Sequence, residues 1–518
     1  MTLETHVDLK ENLCMEKQPE PCGIVIFGGS GDLATGKLIP ALCSLYSKNL
    51  LPESFFILGC LSYGKSPQSD EAYREMVKTL LKSYPGDIPG KVLEEFASRL
   101  HYLPGDYRDK GFYKALKDSL KKLDEHRGTG GNTIFYLAVP PSLFCPIVSM
   151  LATFGLTAEA HKGTPWVRVI VEKPFGRDLV SAAELNRELK KSLRERQIYR
   201  IDHYLGKDTV QNILMLRFAN TIFEPLWSRD YVDHVQVTVS EDIGIGHRSS
   251  YYEESGALRD MFQNHMIQIL ALVGMETPVS FDATRYRNEK VKLMETIRPF
   301  NTKELSRWVV RGQYTAGEIG GKKVCGYQEE QGVAHDSGVE TFVAMRLFID
   351  NWRWKGVPFY LRTGKRMPRK VSEVVLQFKK VPHSIFSPIL PENLDPNLLV
   401  LRIQPEEGLD LTLNAKMPGP RGCIGTLNLH FCYCEVFGVT APEPYERLLL
   451  DCMLGDQTLF IREDGVLASW ALFTPVLETW EKSPSICPLY RYPAGSWGPA
   501  EANNLLRMDG RQWKIPDT

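Results

Sequence analysis

Gly23-Ile-Val-Ile-Phe27, followed without a break by Gly28-Gly-Ser-Gly-Asp-Leu-Ala-Thr-Gly-Lys37, is the stretch whose reading decides the fold. The first five residues are an apolar run of strand type, and the spacing of Leu38, Leu42, Leu45 and Tyr46 predicts a helix behind the glycines. Strand, glycine-rich turn and helix N-terminus together make a nest of backbone N–H groups suited to phosphate. Two mechanisms compete for it. Gly29, Gly31 and Ala34 match the dinucleotide fingerprint, whose small residues let a pyrophosphate approach the backbone. Gly31-x-x-x-x-Gly36-Lys37 matches a P-loop up to the last position, which must offer a hydroxyl to magnesium. That position is Leu38, so the dinucleotide reading stands.

Working outward, Phe55–Cys60 is a second strand, where a Rossmann unit places one. Its end normally carries an acid for the ribose 2′-hydroxyl of NAD, yet Leu61-Ser-Tyr-Gly-Lys65 holds none. NADP is therefore favoured, with Ser62 and Lys65 as candidate partners of the 2′-phosphate. Helices are expected around 70–84 and 90–100. Thr133–Val139 and Val167–Glu172 read as buried parallel strands from their unbroken apolar character. The latter ends at Lys173-Pro174, which puts a cation at the ligand-binding edge of an open sheet. A helix is expected over 178–198, and a domain boundary near 200.

Just past that boundary, Tyr199-Arg-Ile-Asp-His-Tyr-Leu-Gly-Lys-Asp208 packs Asp202, His203, Tyr204 and two cations, Arg200 and Lys207, into ten residues. Such donors suit a phosphate, and a carboxylate beside them suits the orienting of a catalytic histidine. In the second half, Val235–Glu241, Glu373–Phe378, Leu399–Gln404 and Leu409–Leu413 alternate apolar and polar residues. They predict a largely antiparallel sheet with helices on one face. Val381–Asn397, rich in proline, reads as a surface loop. One helix, Gly256–Gly274, carries His265 on an apolar stripe with Leu258, Met261, Ile269 and Leu272. On an ideal helix Asp260 and His265 diverge by ~140°, so an orienting carboxylate for His265 must come from elsewhere, and Asp202 is the candidate.

Composition excludes several classes. The chain has 518 residues, enough for two or three domains, with 43% hydrophobic and 24% charged residues and a net charge of −1. No basic excess points to nucleic acid, and no apolar run approaches the ~20 residues that span a bilayer. The N-terminus, Met1–Gln18, is mixed in charge and unlike a targeting peptide. Eleven cysteines without a Cys-x-x-Cys pair predict reduced thiols, no metal site and a cytoplasmic location. Cys432 and Cys434 are expected to alternate along a strand.

Gly28-x-Ser-Gly-Asp-Leu-Ala, Val171-Glu-Lys-Pro-Phe-Gly-Arg-Asp178, Arg200-Ile-Asp-His-Tyr-Leu-Gly-Lys207 and Arg259-Asp-x-x-Gln-Asn-His265 resemble, in order and spacing, the glucose-6-phosphate dehydrogenase family. Phe359-x-Leu-Arg-x-Gly-Lys365, Ile403-Gln-Pro405 and Tyr445-Glu-Arg-Leu-x-Leu-Asp451 extend the resemblance over roughly residues 22–510. It implies a Rossmann-type α/β domain (21–200, after a flexible segment 1–20). An α+β domain (201–518) would follow, with a large, mostly antiparallel sheet that forms a homodimer or homotetramer. It also implies oxidation of glucose 6-phosphate at C1 to the lactone, with hydride passing to NADP and NAD as an alternative acceptor. His265 would be the base and Asp202 its orienting acid. His203, Tyr204 and Lys207 would hold the phosphate, and Lys173, Lys365, Glu241 and Asp260 the rest of the substrate. Gly28, Gly29, Ser30, Gly31, Asp32, Leu33 and Lys173 would meet the cofactor.

The chain departs from the family pattern at three places. Ser62 stands where many members carry an arginine for the 2′-phosphate, which opens the question of NAD use. Asp208 replaces a usual glutamate. Asp410 and Thr412 replace a tyrosine and a lysine of the second, structural NADP site of some animal members, although Arg369, Lys370 and Arg402 resemble other parts of it. That second site is expected to be absent or weak. Rival readings are a P-loop kinase, a non-catalytic NADP sensor and a dehydrogenase of another sugar phosphate.

Overall fold

The computed structural model describes residues 18–61, 69–84, 88–159, 165–385, 394–419, 423–438 and 442–516. Six strands build the first sheet: β1 (Cys22–Phe27), β2 (Phe55–Leu61), β3 (Leu100–Pro104), β4 (Thr133–Leu137), β5 (Val167–Val171) and β6 (Ile198–Arg200). All pairs are parallel, and the order is β3-β2-β1-β4-β5-β6. The order reverses between β1 and β4, which opens a crevice beyond their C-terminal ends. Every residue of β1, β2 and β4 is buried, as strands covered on both faces require.

Two short strands escaped the sequence reading. β3 is only partly buried, and β6 starts at Ile198, where the helix expected over 178–198 was to end. That helix runs only over Leu179–Lys190, because Arg194–Gln197 turns the chain into the sheet edge.

The second sheet takes strands β7 (Val232–Ser240), β8 (Val309–Thr315), β11 (Phe342–Phe348), β12 (Pro358–Gly364), β13 (Val371–Phe378), β14 (Leu398–Gln404), β15 (Gly408–Lys416), β16 (Ile424–Cys432) and β17 (Leu489–Pro493). A small hairpin, β9 (Gly317–Ile319) and β10 (Lys322–Val324), stands apart from it. The nine strands run β16-β15-β14-β13-β7-β12-β11-β8-β17, antiparallel except at β7–β12 and β8–β17. Late helices return to the first sheet: Trp470 Nε1 donates to Phe175 O (2.9 Å), and Arg168 donates to Cys452 O (2.6 Å). Within Val381–Asn397, residues 386–393 lie outside the described residues, and 381–385 and 394–397 carry no helix or strand.

Two further expectations give way. β16 ends at Cys432 and a short helix, Tyr433–Phe437, begins at once, so Cys434 is not on a strand. Their sulfurs lie 2.6 Å apart. The helix expected over Gly256–Gly274 is also not uniform. Gly256 adopts φ +61°, and a Cβ there would meet Glu340 Oε1 at 2.4 Å. The same Glu340 oxygen accepts from Leu258 N (3.0 Å), and from Leu258 to Met266 the winding is π-helical before α-helix resumes at Ile267.

Candidate active site

A cleft of about 1680 Å³ lies between the two sheets. Its cofactor side begins with the glycine loop. Gly28 has φ +82°, and a Cβ on it would strike Ala138 O at 2.3 Å, while one on Gly29 would meet Gly59 Cα at 2.8 Å. The loop is thus pinched between the ends of β2 and β4, and only glycine fits at either position. Tyr107 braces it, accepting from Gly28 N (3.0 Å) and donating to Cys60 O (2.8 Å). Leu33 and Lys37 reach the cleft wall, whereas Gly28–Asp32 stand outside its lining. Ser62 and Lys65 lie outside the described residues.

At the centre, His265 Nδ1 lies 2.5 Å from Asp202 Oδ1, and both side chains are 1% exposed. Asp202 Oδ1 also accepts from Tyr204 N (3.0 Å), which fixes the carboxylate at the end of β6. Burial raises the Asp202 carboxyl, but the His265 and His203 rings outweigh it and hold the group well below the carboxylate range. For His265, burial is the larger influence and lowers the imidazole, against the pull of Asp202. The pair is therefore a carboxylate beside a neutral imidazole. Its Nδ1–H donates to Asp202 and its Nε2 lone pair faces the cleft.

The π-helical turn changes the relation between Asp260 and His265. In α-winding, residues five apart diverge; in π-winding, hydrogen bonds run from i to i+5 and such residues come to one face. Both reach a single cation. Lys173 Nζ donates to Asp260 Oδ1 at 2.8 Å and sits 3.1 Å from His265 Nε2. Burial pushes the Lys173 ammonium down, but Asp260 and its neighbours reverse the shift and raise it. Tyr251 OH also donates to Asp260 Oδ1 (3.2 Å). Nearby, Lys365 Nζ donates to Glu241 Oε2 at 2.6 Å.

On the Tyr204 side of His265 the surroundings are different. Lys207 Nζ rests 3.6 Å above the Tyr204 ring, and burial lowers its pKa to about 7. Tyr204 stacks on His265 at 4.3 Å, and His203 meets the same ring edge-on at 4.8 Å. Arg200, expected among these donors, points the other way: it is 1% exposed and bonded to Glu195 (2.6 Å) and Asn186 (2.9 Å). Its side chain faces the helix Leu179–Lys190 and the Ile461 carbonyl instead.

Sequence reading missed Glu172. Its Oε1 accepts from Tyr136 OH (2.5 Å) and Tyr445 OH (3.2 Å), and burial raises its pKa to about 6 against those bonds. The Val171-Glu-Lys-Pro motif held the signal, but its tyrosines come from distant segments. Asp202, His203 and His265 also bring potential ligand atoms within 4.8 Å of one another. The Lys173 ammonium in front of His265 already supplies the local positive charge, which disfavours a metal ion there.

Two family models cover this chain: "Glucose-6-phosphate dehydrogenase, NAD binding domain" over residues 25–212, and "Glucose-6-phosphate dehydrogenase, C-terminal domain" over 214–514. The chain belongs to the glucose-6-phosphate dehydrogenase family. It is 47% identical over 499 residues to the glucose-6-phosphate 1-dehydrogenase of Chlamydia pneumoniae, covering 95% of this chain and 96% of that one. The Bacillus subtilis enzyme of the same name is 45% identical over 490 residues, covering 95% and 97%. A solved glucose-6-phosphate dehydrogenase in complex with its substrate superimposes with a TM-score of 0.87 at 36% identity, covering 97% of this chain and all of that one. The Mycobacterium avium glucose-6-phosphate 1-dehydrogenase structure gives 0.79 at 37% identity, covering 96% of this chain and 100% of that one. The chain is thus an oxidoreductase with a nicotinamide-dinucleotide domain. Among the described residues, no helix is long and apolar enough to cross a membrane.

Proposed function

We propose that this enzyme oxidises glucose 6-phosphate at C1 to 6-phosphogluconolactone and passes the hydride to NADP. The buried Asp202–His265 pair, whose Nε2 meets the Lys173 ammonium at the cleft, carries the reading. The Gly28–Gly29 turn, too tight for any Cβ, would seat a nicotinamide dinucleotide, which when bound would supply the hydride acceptor. His265 Nε2 takes the C1 hydroxyl proton as that bond oxidises. The Asp202 carboxylate keeps Nδ1–H in place and stabilises the imidazolium that forms. Lys173, now donating to Nε2, hands that lone pair to the substrate hydroxyl and stays bonded to Asp260. Lys207, His203 and Tyr204 take the phosphate. Glu241 and Asp260 offer carboxylate acceptors to sugar hydroxyls.

Self-association through the outer sheet fits the exposure of Leu427 on β16, and a cytoplasmic location fits ten described cysteines in the free state. Side-by-side kcat/KM for glucose 6-phosphate with NADP and NAD tests the reaction. A large NADP preference is expected; equal values would show that Ser62 leaves the adenosine site open to both. Failure to reduce either would reject the reaction.

A further inference from the structure

Among the described residues, Cys432 and Cys434 are two cysteines whose sulfurs already touch. Cys432 is buried at the end of β16, Cys434 is exposed on the next turn, and the Sγ atoms lie 2.6 Å apart, against ~2.0 Å for a bond. A shielded thiol beside an accessible one is the arrangement thiol–disulfide exchange needs. Cys434 and the intervening Tyr433 also line the cleft, and Tyr433 OH takes a hydrogen bond from Asn212. Asn212 belongs to the helix Asp208–Phe218, which starts directly after Lys207.

We propose that Cys432 and Cys434 form a reversible dithiol–disulfide site on the cleft wall, oxidised by small-molecule or protein disulfides, that weakens substrate binding when closed. The Cys434 thiolate attacks one sulfur of the oxidant, forming a mixed disulfide and releasing one thiol. Cys432 then attacks the Cys434 sulfur and expels the second thiol. The protein gives up two electrons and two protons, and the oxidant becomes two thiols. Closing the bond draws Cys434 toward the strand end and shifts Tyr433 against Asn212, so the phosphate end of the cleft changes. That last step rests on the function proposed above; the bond itself does not. The hydrogen bond with Cys432 raises the Cys434 thiol, so oxidation should quicken as pH rises.

The test equilibrates the full-length enzyme in glutathione buffers of graded oxidation, followed by alkylation, peptide mass mapping and steady-state kinetics. The expected result is a peptide that has lost two hydrogens across Cys432–Cys434. KM for glucose 6-phosphate should rise at least threefold and kcat change less than twofold, with reversal by dithiothreitol and no such response in Cys434→Ser. Mapping separates this site from the other exposed thiols among the described residues, Cys325 and Cys423. Absence of the bond at full oxidation, or glutathione held on Cys434 without closure, overturns the site. A closed bond with unchanged KM overturns its coupling to the substrate.

Discussion

Lys173 and Lys207 flank the stacked His265 and Tyr204 rings in one cleft and have opposite electrostatics. Lys173 has a carboxylate at 2.8 Å, and although burial lowers it, Asp260 carries the balance upward. Lys207 has an aromatic face beneath it, a second lysine, Lys370, in its field and a pKa lowered to about 7. Burying an ammonium is costly unless an anion compensates. At the Lys173 end the protein supplies that anion itself. At Lys207 burial outweighs the more distant carboxylates of Asp202, Glu407 and Glu241, which supports the proposed seat of an anionic phosphate there.

The contrast can be broken most severely at the pivot. His265→Asn should keep substrate affinity and lower kcat by roughly 10²–10⁴-fold, the usual effect of losing a general base; turnover within tenfold of normal would remove His265 from that role. Next in size, Lys207→Ala should raise KM for glucose 6-phosphate by about 10–100-fold, as loss of a charge-assisted bond worth ~1.5–3 kcal/mol implies. Use of free glucose should hardly change. Equal losses on both sugars would show that Lys207 does not read the phosphate.

A subtler measure is proton uptake. With a pKa of about 7, Lys207 is mostly neutral at pH 8, and a dianion beside it raises that value, so binding should take up close to one proton. Calorimetry in buffers of different ionisation enthalpy reads this directly. The uptake should vanish in Lys207→Arg, whose guanidinium is always charged. Persistence in that variant would assign the proton elsewhere. The smallest effect is expected at the self-compensated end: Glu241→Gln keeps an acceptor for Lys365 but removes its charge. KM should rise about fivefold, on the order of 1 kcal/mol, with kcat nearly constant. A larger penalty than Lys207→Ala would reverse the ranking of the two ends.

Local signals explain which parts of this arrangement were readable. The β1–glycine–helix unit was legible because its demands are contiguous: apolar residues for a two-sided strand, then glycines where no Cβ fits. The strands β7, β13, β14 and β15 were legible from their period-two alternation, although β7 and β13 are buried on both faces, their polar residues included. β6 was not, since three residues, Ile198–Arg200, carry too little periodicity to show against a helical pattern. Arg200 misled because charge in a motif says nothing about which face of a strand bears it.

The sequence by itself determined the family, both sheet classes and the roster of chemically able side chains, because propensity, period and motif spacing are properties of neighbours along the chain. Only the tertiary structure decided how those side chains are paired. Asp202 meets His265 across 63 positions, and Asp260 meets Lys173 across 87. Glu172 gathers tyrosines from β4 and from the late helices, and a π-helical turn set by Gly256 and Glu340 brings Asp260 and His265 to one cation. These depend on burial and through-space charge, which act between atoms that the order of residues does not place together.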